Sequence, residues 1–341
     1  MHVFITGATG FIGGHLARSL VARGDRVTAL VRDPSRAQDL VERGIQLATG
    51  DITDKDSMRP AMSGADGVYH VAGWYKVGVH DPETAYAVNV DGTRNVLELM
   101  SELGISKGVY TSTLAANGDT DGRVLDEKSL FQGHPMSLYD RTKRIAHAQV
   151  AGPMMADGLP LVVVLPGLVY GPGDGSDSGD ALRDYLAGDL PALPTGTAAC
   201  WAHVDDIVDG HILAMDLGRP GQDYIIAGPC HTFIEAFDTA ESICGVAAPK
   251  MHIPGWALRW LSWPAWVVER FLPLPPRYTF EGLRVQGGTT YLGSNEKAAV
   301  ELGYQPRNLE TGLRQSLPGY AAEVRATGRR LAAGDGPDED R

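Results

Sequence analysis

The chain has 341 residues, more than one compact core usually holds, so a large domain with a smaller appended lobe is expected. Hydrophobic residues make up 43% and charged residues 21%, the balance of a soluble globular enzyme, and a net charge of −12 with no basic stripe excludes a nucleic-acid partner. Cys200, Cys230 and Cys244 are widely spaced and odd in number, which reads as neither a disulfide framework nor a metal-ligand set and points to a reducing cytoplasm.

His2–Ile5 is a strand-like run with no charged-then-apolar leader before it, so a protein that is not exported is expected. The strand ends in Thr6-Gly7-Ala8-Thr9-Gly10-Phe11-Ile12-Gly13, and a helix is predicted over Ile12–Arg23. Glycines three apart let the backbone turn tightly and approach a pyrophosphate, while the helix N-terminus offers free N–H donors. The second strand, Val27–Val31, carries Val31 where NAD-selective folds place an acid for the ribose 2′-OH. Arg32 and Arg36 follow it and suit a 2′-phosphate, so NADP(H) is expected over NAD(H), with Asp33 as the argument for the latter. Asp51-Ile52 follows the third strand; Asp51 reads equally as an acceptor for the adenine amino group or as a helix cap.

Gly67–Ala72 is the fourth strand, with Val71-Ala72-Gly73 beside the same crevice and Trp74-Tyr75 just beyond. A helix over Glu83–Leu103 leads to the strand Val109–Ser112, then Thr113. A helix over Ser137–Asp157 and the strand Leu161–Leu165 complete residues 1–172. Such alternation of buried strands and amphipathic helices predicts an α/β, doubly wound, parallel-sheet Rossmann domain.

After Gly171–Asp174 the rhythm changes, and residues 173–325 read as a smaller mixed α/β lobe for substrate, with some segments returning to the first domain. Helices are expected near His231–Cys244, Trp256–Phe271 and Leu309–Arg325, and 326–341 reads as a disordered tail. Trp256, Trp260 and Trp263, with Trp266 behind, draw one aromatic stripe broken at Pro264, read first as a core helix, then as a pocket wall or an interfacial or dimer contact. Charges and Pro264 within Ile253–Pro275 exclude an ordinary membrane span.

The chemistry is carried by Tyr139 and Lys143, four apart on one helix face. A phenol titrates near ~10, and a lysine cation beside it favours the phenolate needed to exchange a proton with a substrate oxygen. Thr113 offers a hydroxyl to polarise that oxygen, and loops at the strand C-termini supply pocket candidates: Trp74, Tyr75 and the Phe131–Leu138 segment with Met136.

In order, TGATGFIG, NVDGTRNV, YTST, YDRTK, LPGLVYGPGD and HVDDIVDGHILA resemble the extended short-chain dehydrogenase/reductase superfamily, in its dihydroflavonol-reductase-like and sugar-epimerase/dehydratase-like branch. The resemblance runs over nearly the whole chain. It implies phosphate binding at Gly7, Gly10 and Gly13 and nicotinamide-side roles for Tyr139, Lys143 and Pro166-Gly167-Leu168-Val169. The catalytic Ser/Thr falls on Thr113, with Ser112 as runner-up. A small carbonyl or alcohol substrate is implied, and a homodimer is suggested. Asn89 reads as a structural hydrogen-bonder, and His203, Asp205 and Asp206 as a helix cap and packing group.

The chain departs from the sugar-epimerase pattern. Leu165 and Leu168 stand where an arginine and a sugar-nucleotide-binding asparagine are typical, and Leu114-Ala115 replace the dehydratase acids. The expected activity is therefore hydride transfer between NADP(H) and a small carbonyl/alcohol pair. The rivals are a nucleotide-sugar epimerase or dehydratase that retains its cofactor, and a non-catalytic dinucleotide-binding redox sensor.

Overall fold

Residues along the central strands alternate between two separate apolar layers, as the two-residue period of a strand requires. Val3 and Ile5 face one core while Phe4 faces the other; Val162 and Val164 oppose Leu161, Val163 and Leu165 in the same way. Both faces are covered, so these strands are apolar throughout. A computed structural model, describing residues 1–332, shows seven of them in one parallel sheet: β1 (His2–Thr6), β2 (Arg26–Val31), β3 (Gln46–Thr49), β4 (Gly67–His70), β5 (Lys107–Thr111), β6 (Leu161–Pro166) and, from later in the chain, β10 (Gln222–Ile226). Their order is β10-β6-β5-β4-β1-β2-β3. The chain runs outward from β1 through β2 to β3, then returns to β4 on the other side of β1. That reversal opens a crevice at the C-terminal ends of β1 and β4, where doubly wound folds bind ligands.

The second lobe holds β7 (Leu168–Tyr170), β8 (Leu193–Thr195), β9 (Ala198–His203), β11 (Cys230–Thr232), β12 (His252–Pro254) and β13 (Thr290–Tyr291). β7 and β13 run parallel to β9, and β11 antiparallel to it. Helices Asp177–Leu186, Phe233–Cys244 and Leu309–Ala326 enclose a third core around Tyr185, Trp201, Phe237, Leu313 and Tyr320. The helix Val204–Asp216 and β10 return to the first domain, packing beside β6.

Three expectations are corrected here. The cysteines do include a disulfide: Cys200 on β9 lies directly opposite Cys230 on β11 and is bonded to it, leaving Cys244 free. Thirty residues separate them, so only the strand register brings them together, and the cysteine argument for a reducing compartment falls with it. The helix Gly255–Val268 is not broken at Pro264, and its tryptophans are exposed rather than in a core. The chain past Ala326 stays fastened: Ala332 N donates to Leu186 O at 2.8 Å, and Arg329 bridges Asp184 and Asp189. The rest of the expected tail, 333–341, lies outside the described residues. No helix among the described residues is long and apolar enough to cross a membrane.

Candidate active site

At the C-terminal end of β1 the backbone turns at Gly7, whose φ of +79° is in the left-handed region. A Cβ there would lie 2.6 Å from Ala72 N, and one on Gly13 would lie 2.1 Å from Gly7 O, so side chains are excluded by backbone on both sides. The helix Phe11–Ala22 begins at Gly10 without a side-chain cap. Its first N–H groups therefore point into the crevice without the partner a serine or aspartate would supply, the donor set that an anionic phosphate needs. Thr6 Oγ1 accepts from Ala72 N at 3.2 Å, fastening the Val71-Ala72-Gly73 loop against the glycine turn, with Thr9 exposed at the rim. These residues fit the diphosphate of a dinucleotide.

Just past β2, Arg32 and Arg36 are both exposed, and the Asp33 carboxylate is engaged within its own turn. Its Oδ1 accepts from Ser35 N at 2.9 Å and from Ser35 Oγ at 2.6 Å, capping the Pro34–Ala37 turn. Asp51 is not the cap of the helix Lys55–Met62, a role that Asp54 takes; it accepts instead from Thr53 N and Oγ1, with buried Ile52 beside it.

The helix Leu138–Ile145, which carries Tyr139 and Lys143, starts at Ser137, whose Oγ accepts from Asp140 N. Tyr139 and Lys143 lie on one face of it. Lys143 Nζ donates to Thr111 O at 2.6 Å and to Tyr110 OH at 3.3 Å, which holds the amine at the end of β5. Burial without a carboxylate partner brings its pKa down to about 7. Burial pushes the Tyr139 phenol above its usual range, and the Thr113 hydroxyl beside it works in the opposite direction. Thr113 itself caps the Leu114–Asn117 turn by accepting from Ala115 N, so its own proton is free to be donated. The Tyr75 ring packs edge-on against Tyr139 at 4.8 Å between centroids. Trp74 and Met136 are both buried.

Thr113, Tyr139, Lys143 and Tyr75 thus come together, while Ser112 does not. The Ser112 hydroxyl points into a buried chain to His147 Nδ1 at 3.0 Å, whose Nε2 reaches Asp223. On the far side, β6 ends at Pro166; Gly167 lies against Cys200 O, and Leu168 and Val169 pair with Trp201 and Ala202 on β9. Leu165 is wholly buried in the sheet core, while Leu168 is half-buried.

A family model for the NAD-dependent epimerase/dehydratase family matches residues 3–227. This chain belongs to that family. Over 324 residues it is 32% identical to a putative dihydroflavonol 4-reductase of Synechocystis sp., covering 92% of this chain and 93% of the relative. Over 340 residues it is 31% identical to a 3 beta-hydroxysteroid dehydrogenase/Delta 5→4-isomerase of Mycobacterium tuberculosis, covering 94% of this chain and 90% of that one. The crystal structure of gox2253 superposes with a TM-score of 0.81 at 32% identity, over 96% of this chain and 99% of the other. The protein is an oxidoreductase of the epimerase/dehydratase family with that family's Rossmann fold.

In this family member, two positioning residues escape the sequence reading. Asp140 is buried beside Tyr139 and accepts from Met136 N, Ser137 Oγ and Tyr291 OH, tying the Tyr139 helix to the second lobe. Its neighbour in the motif, Ser137, completes a Ser-x-x-Asp pattern that signals a capped helix start and was the available clue. Glu281 accepts from Gly78 N and Leu138 N, clamping the loop after β4 to the start of the same helix across more than 140 residues, and nothing local announces it. Asn89 accepts from Trp74 N and donates to Trp74 O and Thr142 Oγ1, joining the loop after β4 to the catalytic helix. His203 caps the helix Val204–Asp216, and Asp206 pairs with Arg307.

Proposed function

We propose that the protein is an NADP(H)-dependent reductase, or dehydrogenase in reverse, of a small, largely apolar carbonyl/alcohol pair. The observation that carries this reading is the meeting of Thr113, Tyr139 and Lys143 at the crevice mouth, next to an aromatic wall. When bound, the dinucleotide supplies or accepts a hydride at its nicotinamide. The chain does the rest. Thr113 donates to the substrate oxygen and orients it; Tyr139 gives that oxygen its proton in reduction and takes it back in oxidation. The Lys143 ammonium favours the phenolate electrostatically. The glycine turn and the free N–H groups at Phe11, Ile12 and Gly13 hold the diphosphate. Arg32 and Arg36, with Asp33 engaged by Ser35, favour a 2′-phosphate and hence NADP(H).

The test is NADPH consumption over a panel of aliphatic and aromatic ketones and aldehydes. Tyr139→Phe should reduce turnover at least ~10²-fold with cofactor affinity nearly unchanged, and full activity in that variant overturns the assignment. In the same assay Arg32→Ala should weaken NADPH by roughly 1.5–3 kcal/mol and leave NADH almost untouched.

A further inference from the structure

A helix on the surface of a water-soluble enzyme turns its apolar stripe inward and its polar residues outward. The helix Gly255–Val268 does the reverse. Its buried positions are Gly255, Leu258, Ser262 and Ala265, mostly small. Trp256, Trp260, Trp263 and Val267 fall at i, i+4, i+7 and i+11, on the face opposite that set. The three indoles are 68%, 70% and 63% exposed, and Phe271, just past the helix, is 80% exposed. At about 220 Å² for a full indole the three contribute on the order of 450 Å² of apolar surface, the size of the largest patch on a typical soluble monomer, which is often a functional one.

The charge around this stripe is opposite in sign to that of the whole chain. Between Lys250 and Val285 stand Lys250, Arg259, Arg270, Arg277 and Arg284 against Glu269 and Glu281, in a protein whose net charge is −12. Both carboxylates are turned inward, Glu269 onto Phe280 N and Glu281 onto Gly78 N and Leu138 N. Arg259 and Arg277 pair with Asp119 and Asp184. Arg270 instead lies 3.6 Å over the Trp266 ring, and Arg284 over Phe280. Exposed indoles flanked by arginines stacked on aromatic rings suit the headgroup layer of an anionic bilayer. A second copy of the chain fits less well, because a twofold contact through this face would bring its own cations together.

We propose that the Trp256–Phe271 face is a peripheral docking surface for an anionic lipid bilayer, lying in the headgroup layer and not crossing it. Glu281 fastens this helical layer to Leu138, at the start of the Tyr139 helix, and to Gly78, in the loop that carries Tyr75. Docking therefore sets the cleft beside the bilayer surface, in reach of lipid-soluble carbonyl compounds. The docking itself does not depend on the reductase reading.

The experiment floats the full-length protein with large vesicles of phosphatidylcholine alone, or of phosphatidylcholine mixed with phosphatidylglycerol, and follows tryptophan quenching by lipids brominated on their acyl chains. Flotation with the anionic vesicles and quenching are expected. The double variant Trp260→Glu/Trp263→Glu should lose roughly tenfold or more of the vesicle affinity. Its far-UV circular dichroism and Tm should be unchanged, since both side chains are exposed; if that variant misfolds, Trp260→Ser serves in its place. Arg270→Glu/Arg284→Glu should remove the preference for anionic over neutral vesicles. Three results would overturn the proposal: no binding to either vesicle, binding that survives the tryptophan changes, or a dimer in lipid-free buffer that the tryptophan changes dissociate. None of these readouts requires enzymatic activity, so failure of the reductase reading would be seen separately.

Discussion

Burial opposes the charge that the chemistry asks of Lys143. Its amine meets the Thr111 carbonyl and the Tyr110 hydroxyl, neither of them an anion, and desolvation brings its pKa down to about 7. In an unfolded chain the same group holds its proton to about 10. Between those values the unfolded state binds the extra proton, so this residue makes stability rise with pH from about 7 to 10, and it costs stability below 7, where a cation is buried. Lys143→Met removes that cost. Calorimetry without cofactor should show the variant gaining more Tm over the parent at about pH 6 than at about pH 10, while its turnover falls. Equal gains at both pH values would mean that the amine is solvated. The same residue shows what the sequence discloses: the four-residue spacing to Tyr139 puts both on one helix face, but the acceptors on β5 that fix the amine depend on where the helix docks.

The helix that carries Tyr139 and Lys143 takes its position from its first turn. Asp140 is buried, burial holds its carboxyl above the usual range, and it still accepts three hydrogen bonds, from Met136 N, Ser137 Oγ and Tyr291 OH. Asp140→Ala leaves those donors unsatisfied and should destabilise the protein by roughly 2–4 kcal/mol. Turnover should fall further than NADPH affinity, because the tyrosine shifts while the glycine cradle stays. Urea unfolding and steady-state kinetics read the two effects, and a loss below ~0.5 kcal/mol would show the bonds to be ornamental. Elements with a strong period were legible in the chain: the strands and the helix Phe11–Ala22 fall within about two residues of expectation. The long helices around Asn89 and His147 were placed correctly, but the π-helical turns Ala87–Asp91 and Ala146–Ala151 inside them were not foreseen. The tryptophan helix was misread because periodicity finds a stripe without saying which side of it faces the protein. Gly255, Ser262 and Ala265 pack inward beside Leu258, and small residues carry little signal in a hydrophobic pattern. Non-local register likewise hid the Cys200–Cys230 pair.

For the molecule as a whole, the side chains that the two lobes bring together bear on the proposed choice of a carbonyl compound over a nucleotide sugar. Asp140, Asp174 and Glu281 gather around the Tyr139 helix and the loop carrying Tyr75, each carboxyl held above its usual range by burial. Burial, then the fields of Asp177, Tyr139, Asp174 and Asp140, pushes the Tyr75 phenol up as well, so the substrate side of the cleft favours neutral or positively charged groups over another anion. Arg183, a nearby cation, is already engaged by Asp180 and Glu323. A sugar nucleotide would bring a diphosphate into this acidic, partly aromatic setting, where Leu168 offers no hydrogen bond and an unpaired buried charge costs several kcal/mol. An uncharged ketone or aldehyde meets no such penalty. Isothermal titration with UDP- and dTDP-sugars should therefore give affinities weaker than about 1 mM, near 4 kcal/mol of binding at most. Mixed with NADPH and a carbonyl panel, the protein should oxidise the added cofactor stoichiometrically with alcohol formed. An epimerase passes its hydride back to the same substrate and leaves free cofactor unchanged. Micromolar sugar-nucleotide binding with no net NADPH oxidation on any carbonyl would place the protein in that other branch of its family.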